Sequence, residues 1–324
     1  MYDQFTDIRK RFIRGFRVAA RYKAKQGTGD CMIEKAGGME FMKAANQKTA
    51  LVTGASSGFG LLISIELAKG GYDVAAGMRR PEAAGELLQQ AAKFGVAERI
   101  RVIELDICSE EQVQAAARSV EQELGRLDVL VNNAGIAVGG FVEEVPLSEW
   151  RRQLETNVIG TVSVTQSMLP LMRRTGKSKM ILISSISGVV GFPGYGPYAA
   201  SKFAVEGLGE SLAMELMPLG IDVVLVQPGA YGTPIWGKSF GELKVREGSP
   251  YSGMLKRVLA YSERTAKKSG DPLEVARLVA RIAGMKHPSF RYRLPRSTRL
   301  TGRIKAWLPD RFFQRLIVRL LGRE

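Results

Sequence analysis

A single histidine, His287, and two cysteines, Cys31 and Cys108, stand among 324 residues. So few imidazoles and thiols exclude a zinc cluster, a multi-histidine metal centre and a disulfide scaffold. Long hydrophobic runs are missing too, since no stretch reaches the roughly 18 apolar residues that cross a bilayer. The amino-terminal segment lacks the unbroken apolar run and small-residue cleavage site of a secretory signal. A reducing, cytoplasmic location is therefore the expectation, with membrane association left to the surface. Core-forming residues are not scarce: 45% of the chain is apolar and 8% aromatic, which suits a full globular core and excludes a disordered chain.

Acidic residues are outnumbered, 32 against 47 basic ones, for a formal charge of +15. The imbalance sits at the ends. Residues 1–47 carry 10 basic and 5 acidic side chains, residues 286–324 carry 11 and 2, and the stretch between carries 26 and 25. The middle is thus an electrically balanced domain, and attraction to anionic surfaces belongs to the termini. Neither end shows a nucleic-acid-binding pattern, and the arginines alternate with bulky aliphatics, so no nucleic-acid partner is expected.

From Pro309, arginines recur at 311, 315, 319 and 323, with Phe312, Phe313, Leu316, Ile317, Leu320 and Leu321 between them. That spacing predicts a cationic amphipathic helix over the terminal segment, 301–324. Two uses are open: its apolar face docks on the domain or a partner subunit, or it lies weakly in an anionic membrane surface. Residues 1–46 form a basic extension with a fainter version of the pattern; a start at Met39 or Met42 is the alternative reading.

From residue 49 short apolar runs alternate with amphipathic stretches: 50–53, 73–77, 101–105, 129–131, 180–183 and 223–226, with 290–294 expected to close one edge. Runs this continuously apolar are covered on both faces, and alternation with helices implies parallel order. The expected fold over 47–300 is α/β, a doubly wound Rossmann-type parallel sheet of about seven strands with helices on both faces. Chemistry in such sheets sits at the carboxyl ends of the strands.

The motifs fall there. Thr53-Gly54-Ala55-Ser56-Ser57-Gly58-Phe59-Gly60 follows the first run and opens a helix, the arrangement that brings a diphosphate against backbone amides at a positive helix end. The same letters fit a Gly-x-Ser-x-Gly nucleophile elbow at Ser56, whose base would have to be His287. After the second run, Met78-Arg79-Arg80 replaces the acid that would bind an NAD ribose, and Arg79 can face a 2′-phosphate, which favours NADP(H) with NAD(H) as the alternative. Asp106, Asn132-Asn133-Ala134-Gly135 and Ser184-Ser185 end the next runs. Of nine tyrosines only Tyr198 has a lysine four residues on, Lys202; on a helix the ammonium shares a face with the phenol and favours its ionised form.

Taken in order, these residues, with Asn157 in Glu155-Thr156-Asn157-Val158 and Pro228-Gly229 leading to Thr233, resemble the short-chain dehydrogenase/reductase (SDR) family over residues 48–235. The stretches 72–81 and 227–234 are most similar to its 17β-hydroxysteroid and retinol dehydrogenase-like branch. The resemblance implies that Tyr198 is the acid and base, that Lys202 lowers its pKa and holds the nicotinamide ribose, that Ser185 binds the substrate oxygen and that Asn157 positions a relay water. It implies cofactor contacts from Gly54, Ser56, Ser57, Gly58, Phe59, Gly60, Arg79, Asp106, Ile107, Asn133, Ala134, Gly135, Pro228, Gly229 and Thr233. Ser184 is expected to be structural and Tyr195 a pocket wall. Residues 234–268 match the branch's substrate lid in place, with Trp236, Phe240, Tyr251, Met254, Leu255, Val258 and Leu259 as candidate pocket or packing residues. The function expected is interconversion of a secondary alcohol and a carbonyl on a lipophilic small molecule by an enzyme that can form a homodimer. A catalytically silent NADP-binding regulator and a serine hydrolase are the rivals.

Overall fold

The computed structural model describes residues 47–234, 246–267, 269–295, 298, 302, 304, 305 and 307–321. The basic extension, with Cys31, Met39 and Met42, lies outside them, as do Trp236, Phe240, Lys268 and Arg323.

Seven strands form one sheet: β1 Thr49–Thr53, β2 Asp73–Met78, β3 Ile100–Glu104, β4 Val129–Asn132, β5 Ser178–Ile183, β6 Ile221–Pro228 and β7 Arg291–Leu294. Their order is β3-β2-β1-β4-β5-β6-β7, and every pair is parallel. Successive residues of β1 face opposite sides, so Ala50 and Val52 enter one core while Leu51 enters the other. On the first face pack α1 (Gly58–Lys69) and α2 (Gly85–Lys93); on the second pack α3 (Glu110–Leu124), α5 (Gly160–Thr175), which α4 (Leu147–Leu154) precedes, and α6 (Gly196–Leu216). The chain continues through α7 (Ser252–Lys267), α8 (Pro272–Gly284) on the first face and α9 (Asp310–Leu321).

The predicted strands stand within one or two residues of those observed, because the central ones are nearly uninterrupted apolar runs, while the edge strands β3 and β7 interleave charged residues. Two of the helical stretches are interrupted. After β2 a 3₁₀ turn, Pro81–Ala84, precedes an α2 of only 9 residues. After β4, a π-helical turn, Glu155–Ile159, separates α4 from α5 and carries Asn157. Such bulges displace one side chain from the regular helical face.

The terminal helix settles the docking question for one of its faces. Phe313, Ile317 and Leu321 are buried, the first two against Val190, with Val189, Phe192, Ile304 and Leu308 around them. Burial of three such side chains contributes about 1.5–3 kcal/mol each. Among the described residues no helix is long and apolar enough to cross a membrane.

Candidate active site

The sheet reverses its direction of growth between β1 and β4, and the motifs at the carboxyl ends of the strands gather around that point, with Asn157, Tyr198 and Lys202 supplied by helical segments. The glycine turn after β1 is held from two sides. Ala55 N–H donates to the Gly77 carbonyl at 2.9 Å, and Thr53 Oγ1 accepts from the N–H groups of Asn133 and Ala134 at 3.0 and 2.9 Å. Asn133 Nδ2 donates to the Thr53 carbonyl at 2.8 Å. The turn is too crowded for side chains. Gly54 has φ +69, and a Cβ at Gly60 would lie 2.1 Å from the Gly54 carbonyl oxygen and 2.6 Å from Asn133 Nδ2.

This crowding leaves the start of α1 open. Ser57 caps the helix without a side-chain bond, and no acid lies in the first turn, so its orphan N–H groups and positive dipole end face outward. From β6, the segment past Pro228 turns back over this end: a Cβ at Gly58 would stand 3.6 Å from Thr233 Cβ. Thr233 Oγ1 is buried and has no hydrogen-bond partner. An open helix end, a turn stripped of side chains and an unpaired hydroxyl aimed at the same space fit a dinucleotide's diphosphate and an amide beyond it. Arg79 is exposed at the end of β2. Asp106 Oδ1 accepts from Cys108 N–H at 3.0 Å, shaping the turn after β3, while Ile107 is buried in the second core. Phe59 packs edge-on against Tyr231, with ring centroids 5.8 Å apart.

The reactive cluster lies beside this cradle. Tyr198 and Lys202, one turn apart on α6, are 5% and 6% exposed. Tyr198 is hydrogen-bonded to Ser185, and the Lys202 ammonium sits 5.8 Å from the Tyr198 ring centroid, donating to the Ile183 carbonyl at 2.8 Å. Burial pushes the phenol up to about 12, with the Ser185 bond opposing it, and burial pulls Lys202 down to about 8 against the raising influence of Glu206. In the folded chain the influences on the phenol are burial and the opposing Ser185 bond, and Tyr198 is held in its acid form.

Asn157 is buried and its side chain is fully engaged. Oδ1 accepts from Ile136 N–H at 2.9 Å, and Nδ2 donates to the Ile136 carbonyl and to Ser201 Oγ, both at 3.0 Å. It clamps the segment after β4 to the helix bearing Tyr198 and Lys202. The Asn157 main-chain carbonyl accepts from Thr161 Oγ1 at 2.9 Å. Ser184 Oγ faces Gly188 rather than the phenol. Tyr195 shares a 3.1 Å hydrogen bond with Ser262 of α7, tying the lid to the site wall.

The described part of the lid is latched to the loop after β4. Tyr251 stacks on Phe141 at 4.6 Å and donates to Glu143 at 2.8 Å, and Arg246 pairs with Glu143 and Glu144 at 3.0 and 3.3 Å. Val258 is buried, and Met254, Leu255 and Leu259 are half-buried.

Two supports escape a motif search. Tyr231, next to Pro228-Gly229-Ala230, is buried and donates to Glu274 at 2.8 Å, fixing the returning segment to α8. Glu206 stands one turn beyond Lys202, is 7% exposed, and accepts from Arg291 at 3.1 Å. Its signal was present in the sequence, as the third member of the row Tyr198, Lys202, Glu206. The nucleophile-elbow reading of Ser56 is corrected by topology. Ser56 follows the carboxyl end of β1, whereas His287 precedes the amino end of β7, at the opposite edge of a parallel sheet.

Parallel order, a side-chain-free helix start at the switch point and a buried Ser-Tyr-Lys cluster define a dinucleotide-dependent oxidoreductase. The family model for short chain dehydrogenases matches residues 48–243. An uncharacterized oxidoreductase of Bacillus subtilis, YusZ, is 42% identical over 82% of this chain and 95% of its own. A 3-ketodihydrosphingosine reductase of Bacteroides thetaiotaomicron is 36% identical over 82% and 94%, and bovine retinol dehydrogenase 8 is 33% identical over 76% and 81%. Among solved structures, a short-chain dehydrogenase from Streptomyces avermitilis superposes with a TM-score of 0.70 at 34% identity, covering 81% of this chain and 94% of that one. Actinorhodin polyketide ketoreductase with NADPH gives 0.66 at 31%, covering 78% and 97%. The chain belongs to the short-chain dehydrogenase family, and it is an oxidoreductase that acts on CH–OH groups with NAD(P).

Proposed function

We propose that this enzyme is NADP(H)-dependent and interconverts a secondary alcohol and a ketone on a lipophilic substrate of steroid, retinoid or long-chain type. The observation that carries the reading is the buried Ser185–Tyr198–Lys202 cluster beside the open end of α1. NADP(H) is favoured because the end of β2 offers Arg79 and no acid. A lipophilic substrate is supported by the apolar residues of α7 and by relatives whose names specify retinol and 3-ketodihydrosphingosine.

The start of α1, with Ser56, Ser57 and the Gly58-Phe59-Gly60 backbone, would hold the diphosphate, and Arg79 the 2′-phosphate. The turns at Asp106-Ile107 and Asn133-Ala134-Gly135 would flank the adenosine half, Lys202 the nicotinamide ribose, and Thr233 past Pro228-Gly229 the carboxamide. When bound, the nicotinamide supplies a hydride in reduction or takes one in oxidation. Tyr198, kept neutral by burial, donates its proton to the carbonyl oxygen as charge gathers there. Ser185 donates a second hydrogen bond to that oxygen. The Lys202 ammonium stabilises the tyrosinate left behind, and the proton returns through water held at the Asn157 carbonyl.

Acid strength sets the direction of the pH dependence. As pH rises, Lys202, at about 8, loses its charge well before Tyr198, at about 12, loses its proton. The alkaline limb of carbonyl reduction therefore belongs to Lys202. Because Glu206 raises the Lys202 pKa, Glu206→Gln moves the limb to lower pH. Consumption of NADPH across a panel of steroid, retinoid and long-chain carbonyls, with short-chain ketones as controls, tests both points. Turnover on the lipophilic members that falls near pH 8 is expected. Faster turnover of the short ketones would overturn the substrate class; a limb unmoved by Glu206→Gln would overturn the assignment to Lys202.

A further inference from the structure

Around α9, residues fall into parallel rows one turn apart. Phe313, Ile317 and Leu321 form the row packed on the domain. The adjacent row, Phe312, Leu316 and Leu320, is apolar too, yet Phe312 is 56% and Leu320 37% exposed. The next row is Arg311, Arg315 and Arg319, all exposed and without an ion pair among the described residues. Just before the helix, Trp307 is 88% exposed. Docking has thus used only half of the apolar arc.

We infer that this outer half, Trp307 with Phe312, Leu316 and Leu320 edged by the three arginines, is a binding face for an anionic lipid surface. An apolar row beside a cationic row fits the boundary between acyl chains and headgroups, with the arginines reaching the phosphates. Charge complementarity selects this occupant: the helix has one acid, Asp310, at its far start, and the flanking segment from 286 carries a strong basic excess. A second copy of the chain would bring the same arginines against themselves, since a two-fold contact is self-complementary. The face is anchored on Val189, Val190 and Phe192, within the segment that joins Ser185 to Tyr198. Lipid contact would therefore sit beside the reactive cluster, although this inference does not depend on the activity proposed above.

Flotation of the full chain with vesicles of phosphatidylcholine, or of phosphatidylcholine and phosphatidylglycerol in equal parts, tests it. The expected result is binding to the anionic vesicles, weakened by salt, with little binding to the neutral ones. Replacing Arg311, Arg315 and Arg319 together by Gln should weaken binding about 100-fold, from the usual contribution of each cation near such a surface. Phe312→Ser with Leu320→Ser should weaken it about tenfold or more, while an unchanged Tm shows that the buried row still docks. Binding retained by the arginine variant would assign it to another basic segment and overturn the inference. Absence of vesicle binding would overturn it too, as would a concentration-dependent dimer that the Phe312/Leu320 variant abolishes without any lipid effect.

Discussion

Tyr198→Phe is expected to lower turnover by about three orders of magnitude while NADPH affinity stays within about twofold, since a positioned general acid typically contributes 10²–10⁴. The phenol hydroxyl is bonded to Ser185 in a buried site. Removing one oxygen leaves the ring in its packing, so the loss falls on proton transfer rather than on the fold. Stability should change by about 1 kcal/mol, the worth of one neutral hydrogen bond. Tyr195→Phe supplies the contrast. Tyr195 is half-buried, and desolvation raises its pKa, but its hydroxyl is shared with Ser262 of the lid helix. Its loss should raise KM and leave kcat nearly intact. Steady-state kinetics of both variants decide the matter, and turnover retained by Tyr198→Phe would remove this residue from the acid's role.

Gly60→Ala is expected to abolish nucleotide binding, with a loss of affinity of about 100-fold or more, and to destabilise the fold. A methyl there would stand 2.1 Å from a backbone oxygen of Gly54 and 2.6 Å from the amide of Asn133. Neither neighbour can retreat cheaply: Gly54 belongs to the turn, and Asn133 is bonded to the Thr53 carbonyl at 2.8 Å. Overpacking of this kind costs about 1–3 kcal/mol, and a Tm drop of several degrees should follow. Gly85→Ala is the matched control, since its Cβ meets nothing within 4 Å at a helical φ of −51, and a small gain in stability is expected. Thermal unfolding and nucleotide titration of both variants check this. A Gly60→Ala protein that binds normally would show that the cradle lies elsewhere.

Much of this architecture was legible in the chain because the central strands are apolar on both faces. Val129-Leu130-Val131 and Val223-Val224-Leu225-Val226 have no polar alternative to offer a solvent face, so burial, parallel order and the motif-bearing edge follow together. The spacing of Tyr198 and Lys202 likewise fixed their shared helical face. Their electrostatics were less legible, because desolvation depends on what surrounds them rather than on what lies four residues away. The same holds for Asn157: nothing in Glu155-Thr156-Asn157-Val158 announces a π turn, or that Ile136 and Ser201 would consume its amide. The terminal helix was readable as amphipathic, but only the packed structure distinguishes the docked row at Phe313 from the free row at Phe312. Tyr231 and Glu274 are 43 residues apart, and a local pattern contains no trace of their hydrogen bond.

The NADP(H) site proposed at these strand ends is open to direct titration. Titrating the folded protein with NADPH and with NADH, following reduced-nicotinamide fluorescence, tests it without any choice of substrate. NADPH is expected to bind at least about tenfold more tightly, by roughly 1.4 kcal/mol, and Arg79→Asp to erase this preference. Failure of a folded protein to bind either nucleotide, or tighter binding of NADH, would contradict it.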